Sequence, residues 1–204
     1  MVGSYEEEFE LFEQHGKWEV VPRPENCWVI SSKWVYCIKY NADSNISHYK
    51  ARLVAYGFTQ IYGIDYTETF APVTHLETLQ LLFALAIQKD WEVHQINVKT
   101  AYLYGNLDEE VYIELPEGAR VTKDKTKVYC LQKAVYGLKQ AGHQWYQKLK
   151  ETMAKFSLTQ VKSEPHTFVA HKVVNGIKFT IILSIYVDDL FPIGNKQLTD
   201  DFEA

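Results

Sequence analysis

The stretch that decides the fold runs from Phe179 to Gly194 and reads FTIILSIYVDDLFPIG. The run up to Val187 is uncharged and mostly apolar, which predicts a β-strand. Two adjacent carboxylates, Asp188 and Asp189, follow it directly, and a second apolar run comes after them. Because neighbouring carboxylates repel each other, a divalent cation between them would offset the cost of holding them together. The alternative is an ordinary polar turn, which an isolated Asp-Asp pair favours.

Helices and hairpins are predicted on both sides of this stretch. Asn175-Gly176 is a strong hairpin signal between two strands, and Thr74-His-Leu-Glu77 is typical of a helix capping box. The predicted strands and helices alternate irregularly, which favours the α+β class over a doubly wound sheet. The predicted helices cover 5–15, 74–89 and 138–156, and the predicted strands cover 33–40, 47–57, 91–98, 111–115, 128–131, 167–174 and 178–187.

Composition bounds the class of protein. The chain has 204 residues, 47% of them hydrophobic, which is enough for one large or two small domains with a buried core. The longest uncharged run, residues 53–64, is well short of the roughly 20 residues of a membrane span. The acidic start, Glu6 to Glu8, does not fit a secretory signal. Three cysteines without a Cys-x-x-Cys pair argue against a disulfide framework or structural zinc, so we expect an intracellular protein.

A net charge of -5 hides one basic region. Residues 120–150 contain eight Lys or Arg and one acid, with four aromatic residues interleaved. Such a cluster could bind a polyanion, although an ordinary solvated surface is the simpler interpretation from charge alone. The lysines in question are Lys123, Lys125, Lys127, Lys133, Lys139, Lys148 and Lys150.

The residues around the carboxylate pair decide between these alternatives. Tyr186-Val187-Asp188-Asp189 after an apolar strand resembles the active-site hairpin of reverse transcriptases. Longer segments resemble the copia class of long-terminal-repeat retrotransposons in order and spacing. These segments are 50–61 (KARLVAYGFTQI), 62–74 (YGIDYTETFAPVT), 98–113 (VKTAYLYGNLDEEVYI), 131–150 (LQKAVYGLKQAGHQWYQKLK) and 185–196 (IYVDDLFPIGNK).

The resemblance implies a right-hand polymerase with fingers and an antiparallel palm sheet packed by helices. Residues 1–17 would be an acidic helix, 18–90 a fingers-like region, and 91–204 a palm-like region with fingers elements that stops before the thumb. Asp188 and Asp189 would hold two Mg²⁺ ions for nucleotidyl transfer. The implied partners are deoxynucleoside triphosphates and an RNA or DNA template-primer, copied within cytoplasmic virus-like particles. The lysine-rich region would be the template-primer track.

Four further residues match nucleotide-binding positions of the family. Lys50 and Arg52 would meet the β and γ phosphates, although two bases beside a turn are commonly just solvated. Tyr102 matches the aromatic residue that excludes a 2′-hydroxyl, although helical spacing alone would make it a core residue. Gln140 resembles the glutamine that contacts nucleotide and template.

The chain departs from the family at the remaining catalytic aspartate. Asn97 stands in its place, and a neutral amide is a poor ligand for a divalent cation. We therefore expect nucleotidyl transfer to be impaired. Three smaller departures are Tyr56 at a usually basic position, His143 where arginine is frequent, and Pro192, which is expected to interrupt the strand after the carboxylates.

Three functional hypotheses follow. The first is a fingers-palm portion of a copia-type RNA-directed DNA polymerase with impaired catalysis. The second is a catalytically inactive retroelement remnant that binds nucleic acid or a partner. The third is an unrelated metal-dependent nucleotidyl transferase that uses Asp188 and Asp189 alone.

Overall fold

The computed structural model describes residues 10, 16, 18–25, 27–116, 118, 124, 126–174 and 176–203. The chain divides into two compact units. The first contains the described residues up to Phe70 together with Tyr102–Trp145, and the second contains Ala71–Ala101 and the chain from Tyr146 onward. The predicted regions 18–90 and 91–204 therefore each contribute to both units. Their assignment to fingers and palm stays a prediction, and the predicted helix in 1–17 falls almost wholly outside the described residues.

Strands of the first unit form a four-stranded sheet and a separate hairpin. The strands are β1 (Trp18–Pro22), β2 (Val29–Ile30), β3 (Ser32–Tyr40), β4 (Ile46–Ala55), β7 (Asn106–Ile113) and β8 (Lys127–Lys133). The order across the sheet is β1-β8-β7-β2, antiparallel except for the parallel β2–β7 pair. Short 3₁₀ helices cover Gly57–Thr59 and Ala101–Tyr104.

The β3–β4 hairpin has two chemically different faces. Cross-strand partners point to the same side of a sheet, so Trp34 and Leu53 share one face while Cys37 and Lys50 share the other. The first face is buried where it reaches Leu53, but Tyr36 and its neighbours towards the turn are exposed. The predicted hairpin over 33–40 and 47–57 is confirmed, and it presents its lysines and Arg52 on one side.

The second unit contains one six-stranded sheet together with helices. The strands are β5 (Glu92–Val93), β6 (Ile96–Asn97), β9 (Thr159–Val161), β10 (Glu164–Val174), β11 (Ile177–Tyr186) and β12 (Asp189–Gly194), and the helices are α1 (Leu76–Lys89), α2 (Ala141–Lys155), which begins in the first unit, and α3 (Lys196–Glu203). The sheet runs β5-β12-β11-β10-β9, with β6 also paired to β12. Helix α1 packs Leu82 and Ala86 against Ile193 of this sheet.

These elements confirm the mixture of antiparallel sheets and a few helices that the sequence predicts. The β10–β11 hairpin turns at the predicted place, where Gly176 has a φ of +79°. Of the helices that the structure describes, none is long and apolar enough to cross a membrane.

Three details of the predicted elements are wrong. The capping box does not form, because His75 is the N-cap of α1 and makes no side-chain capping hydrogen bond. The predicted helix over 138–156 runs too far, because Phe156 lies beyond the last residue of α2 and is exposed. The predicted strand over 111–115 begins too late, because Asp108, Glu109 and Glu110 belong to strand β7.

Pro192 does not interrupt β12, contrary to expectation. It pairs with Leu183 of β11, and its carbonyl accepts a 3.0 Å hydrogen bond from the His94 amide. Since the nitrogen and carbonyl of a strand residue point to the same side, the missing N–H of Pro192 faces His94. β5 and β6 pair with β12 in one register on either side of this point. The proline therefore divides the neighbouring strand into β5 and β6 rather than ending its own.

Candidate active site

The two carboxylates lie at the tight turn between β11 and β12. Tyr186 pairs with Asp189, so the turn consists of Val187 and Asp188. Val187 has a φ of +58°, a left-handed conformation that is unusual for a β-branched residue and costs about 1–3 kcal/mol. The paired strands hold this turn in place, and both aspartates are half-buried.

Asn97 lies directly beside this turn on the neighbouring strand. It pairs with Asp189 across β6 and β12, and its Nδ2 donates a 3.0 Å hydrogen bond to Asp189 Oδ1. The next residue, Val98, donates its amide to the Asp188 carbonyl at 2.8 Å. The structure therefore brings the three positions together and gives the asparagine side chain Asp189, rather than Asp188, as its partner.

Gln95 is a neighbour of the site that sequence reasoning missed. Its Nε2 lies 3.2 Å from the same Oδ1 of Asp189, so two amide groups donate to one carboxylate oxygen. Alternation along a strand places residues 95 and 97 on one face, and this period is the signal that could have identified Gln95. Asp189 therefore accepts from two neutral amide groups, one of them at position 97, where the family resemblance predicts a third carboxylate.

The donor set fits a divalent cation only in part. Oxygen ligands are the right type for Mg²⁺, and within the described part of the chain the Asp188 side chain has no hydrogen-bond or ion-pair partner. Asp189 already accepts two amide hydrogen bonds through Oδ1. In the part of the chain that is described, no three His, Cys, Asp or Glu side chains group together to hold a metal ion. Asp188 and Asp189 can therefore contribute ligands to one cation site, but residue 97 does not supply the third carboxylate expected for a pair of cations.

Thr74 fixes the strand that leads into the turn. Its hydroxyl donates a 2.6 Å hydrogen bond to the Ile185 carbonyl and lies 2.8 Å from the Ser184 hydroxyl, and its amide also bonds to the Ile185 carbonyl. Thr74, Ser184 and Ile185 are all buried. The residue expected to cap α1 thus anchors the start of that helix to β11, three residues before Asp188.

The first unit contains all four predicted nucleotide-binding residues. Lys50 and Arg52 are half-buried on the same face of β4. The Arg52 guanidinium carbon lies 5.3 Å from the ring centroid of Tyr136, and the Tyr102 ring lies 5.2 Å from the same ring. Arg52 and Tyr102 are thus joined through a third aromatic side chain, which sequence reasoning noted only as part of a basic and aromatic region.

Gln140 is fully buried in the first unit. Its Oε1 accepts a 3.0 Å hydrogen bond from Gln60, and its Nε2 donates to the Asp65 carbonyl at 2.8 Å. Gln60 Oε1 in turn accepts from the Lys139 amide. Both ends of the Gln140 amide are engaged within the protein, so a nucleotide contact by this side chain stays a prediction.

A family model described as "Reverse transcriptase (RNA-dependent DNA polymerase)" matches residues 15–203. The chain belongs to this family. It is 38% identical over 197 residues to the retrovirus-related Pol polyprotein from transposon TNT 1-94 of Nicotiana tabacum, a match that covers 97% of this chain and 15% of that protein. The corresponding proteins from transposons RE1 and RE2 of Arabidopsis thaliana are each 36% identical, over 87% and 89% of this chain.

These comparisons confirm the resemblance to copia-type retrotransposon reverse transcriptases. The RE1 and RE2 matches each cover 12% of the relative. The chain therefore spans less than a sixth of the length of the curated relatives it matches. Members of the family act on a nucleic-acid template-primer and deoxynucleotides and generally use divalent metal ions.

Two residues that depart from the family pattern, Tyr56 and His143, have local partners. Tyr56 is half-buried, with its ring centroid 5.7 Å from Lys33 Nζ and 5.3 Å from the Phe58 ring. His143 Nδ1 lies 2.7 Å from the Phe70 carbonyl. Both side chains therefore have structural contacts that do not depend on a phosphate.

Lysines of the predicted template-primer track lie in both compact units of the chain. Lys133 donates to Asn106, Lys139 lies 5.7 Å from the ring centroid of Tyr66, and Lys148 lies 3.4 Å from Glu151. Lys127 is half-buried and Lys150 is exposed, whereas Lys123 and Lys125 lie outside the described residues. The role of this track stays a prediction.

Proposed function

We propose that this chain is the fingers and palm portion of a copia-type RNA-directed DNA polymerase whose catalytic centre is weakened by Asn97. The observation that carries the proposal is the meeting of Asn97 with the turn that bears Asp188 and Asp189. A polymerase of this family would need carboxylates at all three positions. The β3–β4 hairpin would then belong to the fingers, and the sheet of the second unit would form the palm.

Asp188 and Asp189 would hold a divalent cation in this proposal. When bound, such an ion lowers the pKa of a primer 3′-hydroxyl and neutralises triphosphate charge. Asn97 contributes at most one neutral carbonyl oxygen, and only if its amide rotates away from its present orientation towards Asp189. The chain would therefore lack the shared carboxylate that brings a pair of ions together.

Residues of the first unit would bind the rest of the nucleotide. Lys50 and Arg52 lie on one face of β4 and would contact phosphate oxygens, Arg52 through two parallel N–H groups. The bulk of Tyr102 would exclude a 2′-hydroxyl. Gln140 would act on the nucleotide or template only if it leaves its buried hydrogen bonds. The lysine track would hold an RNA or DNA template-primer through its phosphates, and we propose copying in cytoplasmic particles.

Primer extension tests this proposal. A primed RNA template, Mg²⁺ and deoxynucleoside triphosphates are supplied to the natural chain and to the Asn97→Asp variant, and product is measured against time. Restoring the carboxylate should raise the extension rate by at least about 10²-fold, because the loss of a shared metal ligand costs several kcal/mol of barrier. Asn45→Asp adds the same charge at the exposed β3–β4 turn and should change nothing.

Each alternative predicts a different result. Extension by the natural chain that is insensitive to residue 97 but abolished by Asp188→Asn would favour an unrelated transferase. Salt-sensitive binding of the template-primer without extension by either chain would favour an inactive remnant. Either pattern contradicts the proposed function.

A further inference from the structure

We infer that Tyr136 is a positioning residue of the nucleotide site, because its ring connects the Arg52 guanidinium to the Tyr102 ring. The inference rests on the proposed function, in which Arg52 meets phosphate and Tyr102 meets the sugar. Neither of those roles requires Tyr136 to touch the nucleotide itself. Its contribution would be to set where the other two side chains stand.

The contacts of the Tyr136 ring are of two kinds. Arg52 places its guanidinium carbon 5.3 Å from the ring centroid, within the range of an attractive cation–π contact. Tyr102 meets the same ring with a centroid separation of 5.2 Å and an interplanar angle of 68°, the edge-to-face geometry that aromatic pairs favour. One ring therefore constrains both side chains.

The backbone of Tyr136 is fixed to the strand that carries Arg52. The Tyr136 carbonyl accepts a 2.7 Å hydrogen bond from the Ala55 amide, and Val54 and Tyr136 form a parallel bridge. Gly137 follows, and a Cβ at that position would lie only 2.2 Å from the Ala55 carbonyl oxygen. The glycine allows this close approach, so the ring cannot shift along β4 without breaking the pairing.

Arg52 depends on this ring for its orientation. Its Nε is buried and has no hydrogen-bond partner, and the described residues provide its side chain with no ion pair. A guanidinium lying against an aromatic ring keeps its N–H edges in the plane, where they can meet phosphate oxygens. Removing the ring would leave the charge in place but release its orientation.

A double-mutant cycle tests the inference. Binding of dATP and of ATP in Mg²⁺ is measured by calorimetry for the natural chain and for the Asn97→Asp chain. Each of these two chains is compared with its Tyr136→Leu, Tyr136→Phe and Arg52→Lys variants, and with the variant that combines Tyr136→Leu and Arg52→Lys. Tyr136→Leu should weaken dATP binding about three- to ten-fold and reduce the preference for dATP over ATP, whereas Tyr136→Phe should stay within about two-fold. Because Arg52→Lys already removes the planar guanidinium that the ring orients, adding Tyr136→Leu to Arg52→Lys should cost less than about two-fold more.

Tyr62→Leu is the matched control, since it removes an exposed tyrosine ring from the same unit and should leave both affinities unchanged. Thermal melting confirms that each variant is folded, and Tyr136→Met, which removes the ring but keeps a long apolar side chain, replaces Tyr136→Leu if the latter is not. Losses that simply add, or a Tyr136→Phe variant as weak as Tyr136→Leu, would overturn the inference. Binding that needs Arg52 but not Tyr136 contradicts this inference alone, whereas no binding by any chain contradicts the proposed function as well.

Discussion

At the scale of single residues, the side chains around the carboxylate turn could be identified from the sequence but their partners could not. The family motif placed Asn97, Asp188 and Asp189 at one centre. Which oxygen the Asn97 amide would meet depends on the register between β6 and β12, because that register puts residue 97 opposite residue 189. Register is a property of long-range pairing, and no local pattern encodes it.

Gln140 shows a similar limit. Its motif predicts a residue at the nucleotide, yet the side chain is buried and bonded to Gln60 and to the Asp65 carbonyl. Both partners lie more than 70 residues earlier in the chain. A glutamine carries no sequence signal for such contacts, because the same amide group suits a surface and a satisfied interior.

His166 leads to a prediction about pH. Burial lowers the pKa of this ring, although the Glu164 carboxylate lies 2.7 Å from Nε2 and favours the charged form; the His75 ring, 5.6 Å away, lowers the pKa further. In the unfolded chain the same ring titrates near its ordinary value of 6.5. The unfolded state therefore binds more protons below that pH, and the free energy of unfolding should fall as the pH drops from about 6.5 towards 5.

Urea unfolding at a series of pH values measures this effect. The His166→Gln variant should lose the decline between about pH 6.5 and 5. His171→Gln provides the control, because His171 is exposed and bonds to Thr180. If the decline persists unchanged in His166→Gln, another group is responsible and the account of His166 is wrong.

At the scale of elements, periodicity and turn signals predicted both major hairpins and the bodies of α1 and α2. The ends of the helices were predicted less well, since Thr74 exchanges its capping role for hydrogen bonds to β11. Strand β7 begins before the predicted strand over 111–115, because the acidic residues at 108–110 are of types that strands disfavour and so give no strand signal. Asp108 and Glu110 of that strand are exposed, and the half-buried Glu109 accepts a hydrogen bond from Thr67. Asp108 also accepts one from Gln144, so the charges do not prevent sheet formation.

Contact between β4 and the segment before α2 gives a prediction about stability. Gly137 has a φ of +91°, and a Cβ there would also lie 2.2 Å from a backbone oxygen. Gly137→Ala should lower the free energy of unfolding by more than about 3 kcal/mol, since neither backbone can yield easily. Gly63 has a similar φ of +80°, but a Cβ at that position would meet no atom within 4 Å, so Gly63→Ala should cost only about 1–2 kcal/mol.

Denaturant unfolding of the two variants measures that difference. Both substitutions share the strain of a positive φ, so the excess for Gly137→Ala isolates the steric contact between the two backbones. Equal losses would show that this contact does not hold the segment against β4. They would also weaken the inference for Tyr136, whose position depends on the same pairing.

At the scale of the whole molecule, family resemblance along nearly the entire chain predicted a mixture of antiparallel sheets and helices. The division into two units is known only from the structure. Each unit combines two separate stretches of sequence, and no linker composition marks where the chain passes from one to the other. Such boundaries arise from which distant segments pack together. The curated relatives also extend far beyond this chain.

A metal titration tests the proposed metal centre on its own, because the measurement needs neither template nor nucleotide. Mn²⁺ can be titrated by electron paramagnetic resonance into the natural chain, the Asn97→Asp variant and Asp188→Asn variants of both. We expect Asn97→Asp to bind Mn²⁺ at least about ten-fold more tightly than the natural chain, because ligand charge sets the affinity of an oxygen site, and Asp188→Asn to abolish the difference. Equal affinity of the natural and Asn97→Asp chains would contradict the claim that residue 97 limits this catalytic centre.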